Sequence, residues 1–157
     1  MDGVLCNYEA KLYSLYTRAE IEHNRRDWWN DSVYNHKIFE RLEYMPGAEE
    51  LLRFVMRQGI KVEILTSTGH GDAKMEVRKQ KAFWLREHGL DHLKVNYVEH
   101  AKEKSEYAKP DRILIDDRNK CIEPFREAGG IGIHYKDVKQ GLKQLKEILH
   151  DTHSGTV

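Results

Sequence analysis

The sequence predicts an α/β fold in which a parallel sheet is covered by helices on both faces. Helical and strand patterns alternate along most of the chain, which is typical of such sheets. Two short apolar runs, Ile60–Leu65 and Arg112–Ile115, stop at hydroxyl or carboxylate side chains, as buried parallel strands do at one edge. The length of 157 residues limits the chain to one domain with a core of ordinary size.

Composition and charge exclude several classes of protein. The 26 Lys and Arg residues balance the 26 Asp and Glu residues, so an extended nucleic-acid surface and charge-driven membrane attachment are not expected. No apolar run approaches the length of a membrane span, and no signal sequence is recognisable. Cys6 and Cys121 lack metal-site spacing and are interpreted as reduced thiols. The expected location is therefore the cytoplasm.

The first part of the chain is predicted to be a helical insertion over residues 8–44. Residues 1–7 resemble a loop that leaves a strand, and two or three short helices follow, with a break and a new N-cap at Asn30-Asp31-Ser32. The insertion is rich in aromatic residues, which form its hydrophobic core in one interpretation and line a pocket for a flat ligand such as a nucleobase in the other. The rings considered for that pocket are Tyr8, Tyr16, Trp28 and Trp29.

The remaining elements are predicted from apolar periodicity and from the Gly and Pro residues between them. Pro46 can open the first of the helices, whereas Pro124 is tolerated only near the first turn of its helix. The helices are expected at Ala48–Gln58, Lys74–His88, Lys120–Ala128 and Val138–Leu149, and the strands at Ile60–Leu65, Leu93–Val98, Arg112–Ile115 and Ile131–Tyr135. The core domain then comprises residues 1–7 and 45–150, and residues 151–157 form a disordered tail.

Polar side chains at the ends of two strands are the candidate functional residues. Thr66 and Ser67 offer hydroxyls and backbone N–H groups for phosphate oxygens, or else cap the next helix. Asp116 and Asp117 are suited to hold a metal ion, because adjacent carboxylates are costly without a cation, or else one of them is an N-cap. His70, next to Thr66 and Ser67, either contacts substrate or is an exposed loop residue, and the second interpretation is preferred.

Four segments in order resemble the motifs of the haloacid dehalogenase-like (HAD) phosphohydrolase superfamily. They are Asp2-Gly3-Val4-Leu5, Leu65-Thr66-Ser67, a lysine-bearing segment, and Ile115-Asp116-Asp117. Met45-Pro46-Gly47-Ala48 and Ala128-Gly129-Gly130 add similarity to the 5'(3')-deoxyribonucleotidase family and its bacterial and phage relatives. The resemblance implies a doubly wound, Rossmann-like HAD sheet with the insertion as a small helical cap.

The resemblance also implies roles for individual residues. Asp2 matches the general acid/base that offers its backbone carbonyl to Mg²⁺, Thr66 and Ser67 match the phosphate-binding segment, and Asp116 and Asp117 match the magnesium ligands. The lysine that neutralises the phosphoryl charge is expected to be Lys104, with Lys102 and Lys109 as alternatives. The expected partner is then a small phosphorylated substrate of the nucleotide class. The sequence leaves the oligomeric state open, with a homodimer among the options.

One feature departs from the superfamily pattern. The nucleophilic Asp belongs two positions before Asp2, at the end of a strand that lies between Ile60–Leu65 and Arg112–Ile115 in HAD sheets. The expectation is therefore that Met1 is internal to an Asp-Met-Asp-Gly-Val-Leu motif. Without that strand, both neighbours keep unpaired backbone groups, each of which costs about 1–3 kcal/mol when it is buried.

Three functions compete on this sequence. The first is Mg²⁺-dependent hydrolysis of nucleoside monophosphates through an aspartyl-phosphate, which requires an upstream Asp. The second is a non-catalytic protein that binds phosphate or nucleotide. The third is a polynucleotide 3'-phosphatase, which the balanced charge does not favour.

Overall fold

The computed structural model describes the backbone of residues 1–154 and the side chains of these residues except 25, 26 and 152–154. The helices are α1 (Tyr8–Leu15), α2 (Arg18–His23), α3 (Arg25–Tyr34), α4 (Ala48–Met56), α5 (Lys74–Glu87), α6 (Asn119–Glu127) and α7 (Val138–Ser154), with 3-10 segments at Ile38–Glu40 and Ala101–Tyr107. The strands are β1 (Glu63–Ser67), β2 (Lys94–Val98), β3 (Ile113–Asp116) and β4 (Ile131–His134).

The four strands form two parallel pairs. β1 pairs with β2 from Glu63 opposite Lys94 onward, and β3 pairs with β4 from Ile113 opposite Ile131. Within the described residues the pairs are two separate sheets, so β1 and β3 are each hydrogen-bonded to a neighbouring strand on one side only. The prediction of an α/β fold with parallel strands is confirmed, but residues 1–154 do not show the single doubly wound sheet that was expected.

The helical insertion contains three short helices and a 3-10 turn, in agreement with the predicted number. The predicted break at Asn30-Asp31-Ser32 is wrong, because these residues lie inside α3, where the Ser32 hydroxyl donates to the Trp29 carbonyl at 2.8 Å. The chain breaks earlier, at Thr17, where the hydroxyl accepts from the Glu20 N–H and the Glu20 carboxylate accepts from the Thr17 N–H.

The insertion and α5 share one hydrophobic core. Trp84 of α5 is fully buried, and its indole N–H donates to the Leu42 carbonyl at 2.7 Å. Gln80, also fully buried, donates from its side-chain amide to the Val33 carbonyl at 2.7 Å. These bonds fix the insertion against the face of α5, since each satisfies a polar group that burial would otherwise leave unpaired.

Two local predictions need correction. Pro124 lies in the interior of α6 rather than near its first turn. The predicted tail 151–157 is helical as far as Ser154, because α7 continues past its apolar repeat, and residues 155–157 lie outside the described part of the chain.

Across residues 1–154, no helix combines the length and the apolar character needed to cross a membrane.

The turn before α4 gives a first testable prediction. Gly47 has φ +80°, and a Cβ placed there would lie 2.4 Å from Cγ1 of Val138 in α7. Gly47→Ala is therefore expected to lower the free energy of unfolding by about 1–3 kcal/mol more than Gly59→Ala does. Gly59, with φ +67° and no atom within 4 Å of its Cβ position, is the matched control for the left-handed backbone. Urea titration measures both variants, and equal losses would contradict the close contact with α7.

Candidate functional site

A fully buried lysine of α5 lies at the carboxyl end of β1. The Lys81 ammonium contacts the Asp2 carboxylate (Nζ to Oδ2, 2.6 Å), the Thr66 hydroxyl (2.9 Å) and the Ser67 carbonyl (2.8 Å). Lys81 and Thr66 are 0% and 1% exposed. A buried ammonium needs a countercharge and acceptors, and this arrangement supplies both.

A second buried ion pair lies at the carboxyl end of β3. The Lys104 ammonium donates to Asp116 (Nζ to Oδ2, 2.5 Å), and the two side chains are 3% and 4% exposed. The other oxygen of Asp116 accepts from the backbone N–H of Arg118 at 3.1 Å. The 3-10 helix at Ala101–Tyr107 positions the lysine, and its packing against α6 explains why a residue in a strongly charged run is buried.

The loop at residues 2 and 3 contacts side chains at the carboxyl ends of both β1 and β3. Asp2 pairs with Lys81, and the next residue, Gly3, has φ +73° and packs against Asp117. A Cβ on Gly3 would lie 2.1 Å from Oδ2 of Asp117, so only glycine permits this approach of the backbone. Asp2, Thr66, Ser67, Lys104, Asp116 and Asp117, predicted from separate segments, therefore lie around one edge of the fold.

The three carboxylates of this edge differ in pKa. Burial acts to raise the pKa of Asp2, but the charge of Lys81 and its hydrogen bond help to hold it below the ordinary value. Burial opposes ionisation of Asp116 as well, and the charge and hydrogen bond of Lys104 lower its pKa overall. Burial and the neighbouring charge of Asp116 raise the pKa of Asp117. Asp117 is thus the carboxyl group of the three that most needs a further cation.

The donor chemistry of the site fits a hard divalent cation. Oδ1 of Asp2 is buried without a hydrogen-bond partner among the described residues. Carboxylate oxygens are ligands that Mg²⁺ accepts together with water and substrate phosphate. The described side chains nevertheless contain no group of three or more His, Cys, Asp and Glu placed to hold a metal ion by themselves. A cation here would need oxygen ligands beyond these side chains.

The structure distinguishes the three candidate lysines. Lys104 is buried and paired with Asp116, whereas Lys102 and Lys109 are exposed. Lys81 was not predicted. Its signal is present in the sequence, since Val77, Lys81, Trp84 and Leu85 follow one helical face and the lysine interrupts an otherwise apolar stripe.

Aromatic residues of the insertion reach this edge. The rings of Tyr8 and Phe39 are stacked at 5.3 Å, and the Lys81 ammonium lies 4.7 Å from the centre of the Phe39 ring. Trp29 packs against Phe39 and lies beside Gly69, with 3.5 Å from its ring to the Cβ position of that glycine. His70, in the same loop, is exposed as predicted.

Comparisons with protein-family models, with curated proteins and with solved structures find no match to this chain. Any functional assignment therefore depends on the residues and geometry described above.

Proposed function

We propose that this chain is a Mg²⁺-dependent phosphomonoester hydrolase of HAD-like type that acts on (deoxy)nucleoside monophosphates. The observation that carries the proposal is the convergence of two buried lysines, two hydroxyl residues and three aspartates from distant parts of the sequence at the carboxyl ends of parallel strands. Ligands of open α/β folds bind at this edge. The resemblance of six of these residues, all except Lys81, to the four HAD motifs supports the assignment.

In this proposal the lysines and hydroxyls bind the phosphoryl group. The Lys81 ammonium and the Thr66 hydroxyl are already in contact, so both can donate to one phosphate. Oγ of Ser67 is buried without a hydrogen-bond partner among the described residues and is free to add a donor. Lys104 offsets the negative charge that develops in phosphoryl transfer.

The aspartates divide the remaining roles. Asp2 acts as general acid/base, since its pKa is held low by Lys81 and rises when phosphate competes for that ammonium. Asp116 and Asp117, with the backbone carbonyl of Asp2, would hold Mg²⁺, which supplies charge stabilisation for the phosphoryl oxygens. A covalent route needs one more carboxylate as nucleophile. The proposal places it two positions ahead of Asp2, and turnover depends on its presence.

The substrate class is proposed from the aromatic cluster. Trp29 is partly exposed and adjoins Gly69, whereas Phe39, which packs against Trp29, is 3% exposed and adjoins Lys81. A flat ring stacked on Trp29 would carry its phosphate towards that lysine. Aromatic faces stack on every base with little sequence preference. This arrangement favours a nucleoside monophosphate over an aliphatic phosphate ester.

A phosphate-release assay with deoxynucleoside monophosphates and Mg²⁺ tests the proposal, on a chain carrying an apolar strand that ends in Asp ahead of Met1. Asp117→Asn is expected to lower the rate by about 10–100-fold, because it removes a charge that the cation requires. Lys109→Met, at an exposed lysine, should leave the rate unchanged. Turnover in Asp117→Asn equal to that of the parent chain, or no turnover in the parent itself, would contradict the proposal.

A second candidate is binding of phosphate or nucleotide without turnover. It is favoured by the pairing of both buried lysines with aspartates, which already engages the Asp2 and Asp116 carboxylates at the site. Calorimetric titration with a deoxynucleoside monophosphate, alongside the release assay, separates the two functions. Saturable binding with no release by the strand-bearing chain would establish the second.

A further inference from the structure

A histidine at the end of β4 reaches the turn that carries the two adjacent aspartates. Nε2 of His134 lies 2.9 Å from the backbone carbonyl oxygen of Asp117. Because a carbonyl oxygen only accepts hydrogen bonds, this contact requires the imidazole to carry a proton on Nε2. His134 is half-buried, and the reduced access of water strengthens the bond.

This bond continues the pairing of β3 with β4 beyond the last residue of each strand. Asp116 lies opposite His134 in the register, and the backbone N–H of Tyr135 donates to the Asp116 carbonyl at 2.8 Å. The next carbonyl of the turn, that of Asp117, accepts from the side chain of His134. Two consecutive carbonyls of the turn are therefore held by two consecutive residues at the end of β4.

The backbone of His134 is itself held by α7. The side-chain amide of Gln140, in the first turn of that helix, donates to the His134 carbonyl at 3.0 Å. The side-chain oxygen of Gln140 accepts from the Lys136 N–H at 3.1 Å. The imidazole is thus attached to a segment that both a strand and a helix fix in place.

The contact restricts the backbone from which the Asp117 side chain projects. β3 ends at Asp116 and α6 begins at Asn119, so the turn between them is short. Since a peptide unit is planar, a hydrogen bond to the Asp117 carbonyl fixes the rotation of that peptide. On the other side, the Cβ position of Gly3 lies 2.1 Å from Oδ2 of Asp117, which confines the carboxylate. Asp117 is therefore held at its carbonyl and confined at its carboxylate.

We propose that His134 is a positioning residue for the divalent cation, because its imidazole fixes the Asp117 peptide and so orients the Asp117 carboxylate beside Asp116. The role rests on the proposed function, in which these two aspartates hold the cation. His134 contacts neither metal nor substrate in this role. Ligand groups must lie within about 0.5 Å of their productive positions, so the loss of one supporting hydrogen bond is enough to weaken binding.

Titration of the full chain with Mn²⁺, followed by the electron paramagnetic resonance signal of the free ion, tests this role. Mn²⁺ prefers the same oxygen ligands as Mg²⁺. His134→Leu keeps a similar volume without the donor and is expected to weaken binding at least about tenfold. His134→Gln, whose amide N–H can reach the same carbonyl, should stay within about threefold of the parent chain. Parent-like affinity in His134→Leu, or an equal loss in His134→Gln, would overturn the proposal.

His88→Leu is the matched control. Nδ1 of His88 also donates to a backbone carbonyl, that of Trp84 at 2.7 Å, but it does so at the end of α5. Each leucine variant loses one such bond, so the melting temperature should fall in both. Mn²⁺ affinity should fall in His134→Leu and stay unchanged in His88→Leu. An equal fall in both would attribute the effect to general destabilisation and overturn the positioning role.

The histidine contact can also be tested without any metal. Two-bond ¹H–¹⁵N correlation spectra distinguish the two tautomers of a neutral imidazole. His134 should show a protonated Nε2 and an unprotonated Nδ1, as the bond to the Asp117 carbonyl requires. The opposite tautomer would remove the donor from this contact and overturn the proposal.

The outcomes separate the role of His134 from the proposed function. Parent-like Mn²⁺ affinity in His134→Leu overturns the positioning role alone. Mn²⁺ binding by the parent, with no phosphate release by the strand-bearing chain, contradicts the phosphatase, and the affinities of the two His134 variants still decide the positioning role. No Mn²⁺ binding by the parent chain would overturn both the assignment of the aspartates and the role of His134.

Discussion

Replacement of Lys104 by methionine is expected to lower the free energy of unfolding by about 3–5 kcal/mol. Lys104 and Asp116 form an ion pair of 2.5 Å with side chains only 3% and 4% exposed. Removal of the ammonium leaves the Asp116 carboxylate buried, with the Arg118 N–H donating to it at 3.1 Å and Nε of the half-exposed Arg118 side chain 3.9 Å away. A buried charge that has lost its partner costs far more than the pair contributed, since the desolvation of the carboxylate is no longer offset.

The double variant Lys104→Met with Asp116→Leu separates the cost of an unpaired buried carboxylate from the contribution of the ion pair itself. Apolar replacement of a whole buried ion pair is often neutral or stabilising, so the double variant should recover most of the stability that the single variant loses. Lys109→Met is the control at an exposed lysine and should change stability by no more than about 0.5 kcal/mol. Urea titration of all three gives the comparison. A single variant as stable as Lys109→Met would show that the pair is not buried in solution.

The same variants have a defined pH dependence. The folded-state pKa of Asp116 lies below its ordinary value of 3.8, so its contribution to stability is present above that pH and is lost as the pH falls through the lowered value. The double variant lacks this carboxylate and should lose less stability than the parent as the pH falls below that ordinary value. If the free energy of unfolding falls equally with pH in the parent chain and in the double variant, the lowered pKa of Asp116 is contradicted.

The sequence predicts most helices and strands closely, because apolar periodicity and Gly or Pro punctuation act locally. The helix expected at Lys74–His88 is found at Lys74–Glu87, and the strand expected at Leu93–Val98 is found at Lys94–Val98. The strand expected at Ile60–Leu65 begins later, at Glu63, and includes Thr66 and Ser67. A run of apolar residues marks a strand well but does not fix where its pairing with a neighbour begins.

Long-range pairing is the part that local patterns cannot supply. No periodicity reveals that residues of β1 and β3 line one cavity of about 670 Å³, because every sequence has the same backbone donors and acceptors to pair. The burial of Lys104 is likewise not predictable from local patterns, since its neighbours in the chain are charged and its partner Asp116 lies in a later strand. The packing of the 3-10 segment against α6, β1 and β2 is what excludes water from that lysine.

The sequence pattern marks Lys81 as unusual but does not identify its partner. A lysine within the apolar face of α5 is an anomaly, and such anomalies are expected at functional or specially paired positions. The pattern gives no indication that its partner is Asp2, which lies 79 residues away. Identification of the pair requires the fold, and a variant can test it.

Lys81→Met is expected to lower the free energy of unfolding by about 2–4 kcal/mol, somewhat less than Lys104→Met. Methionine fits the apolar face formed with Val77 and Trp84, so the loss arises from the polar partners rather than from helix packing. The variant leaves Asp2 without its ammonium and Thr66 without a hydrogen-bond donor to its hydroxyl oxygen. The Asp2 side chain is 30% exposed, so solvent screens part of the penalty that the nearly fully buried Asp116 would bear in full.

A double variant identifies which lost contact of Lys81 lowers the free energy of unfolding. If the uncompensated carboxylate dominates, adding Asp2→Asn to Lys81→Met should restore part of the stability, because a neutral amide is less costly to bury than a charge. Lys79→Met, at an exposed lysine of the same helix, controls for the change in net charge and in helix propensity and should have little effect. No recovery in the double variant would attribute the loss to Thr66 and the Ser67 carbonyl instead of Asp2. A Lys81→Met variant as stable as Lys79→Met would contradict the buried three-way contact at the carboxyl end of β1, on which the assignment of Lys81 to a phosphate site depends.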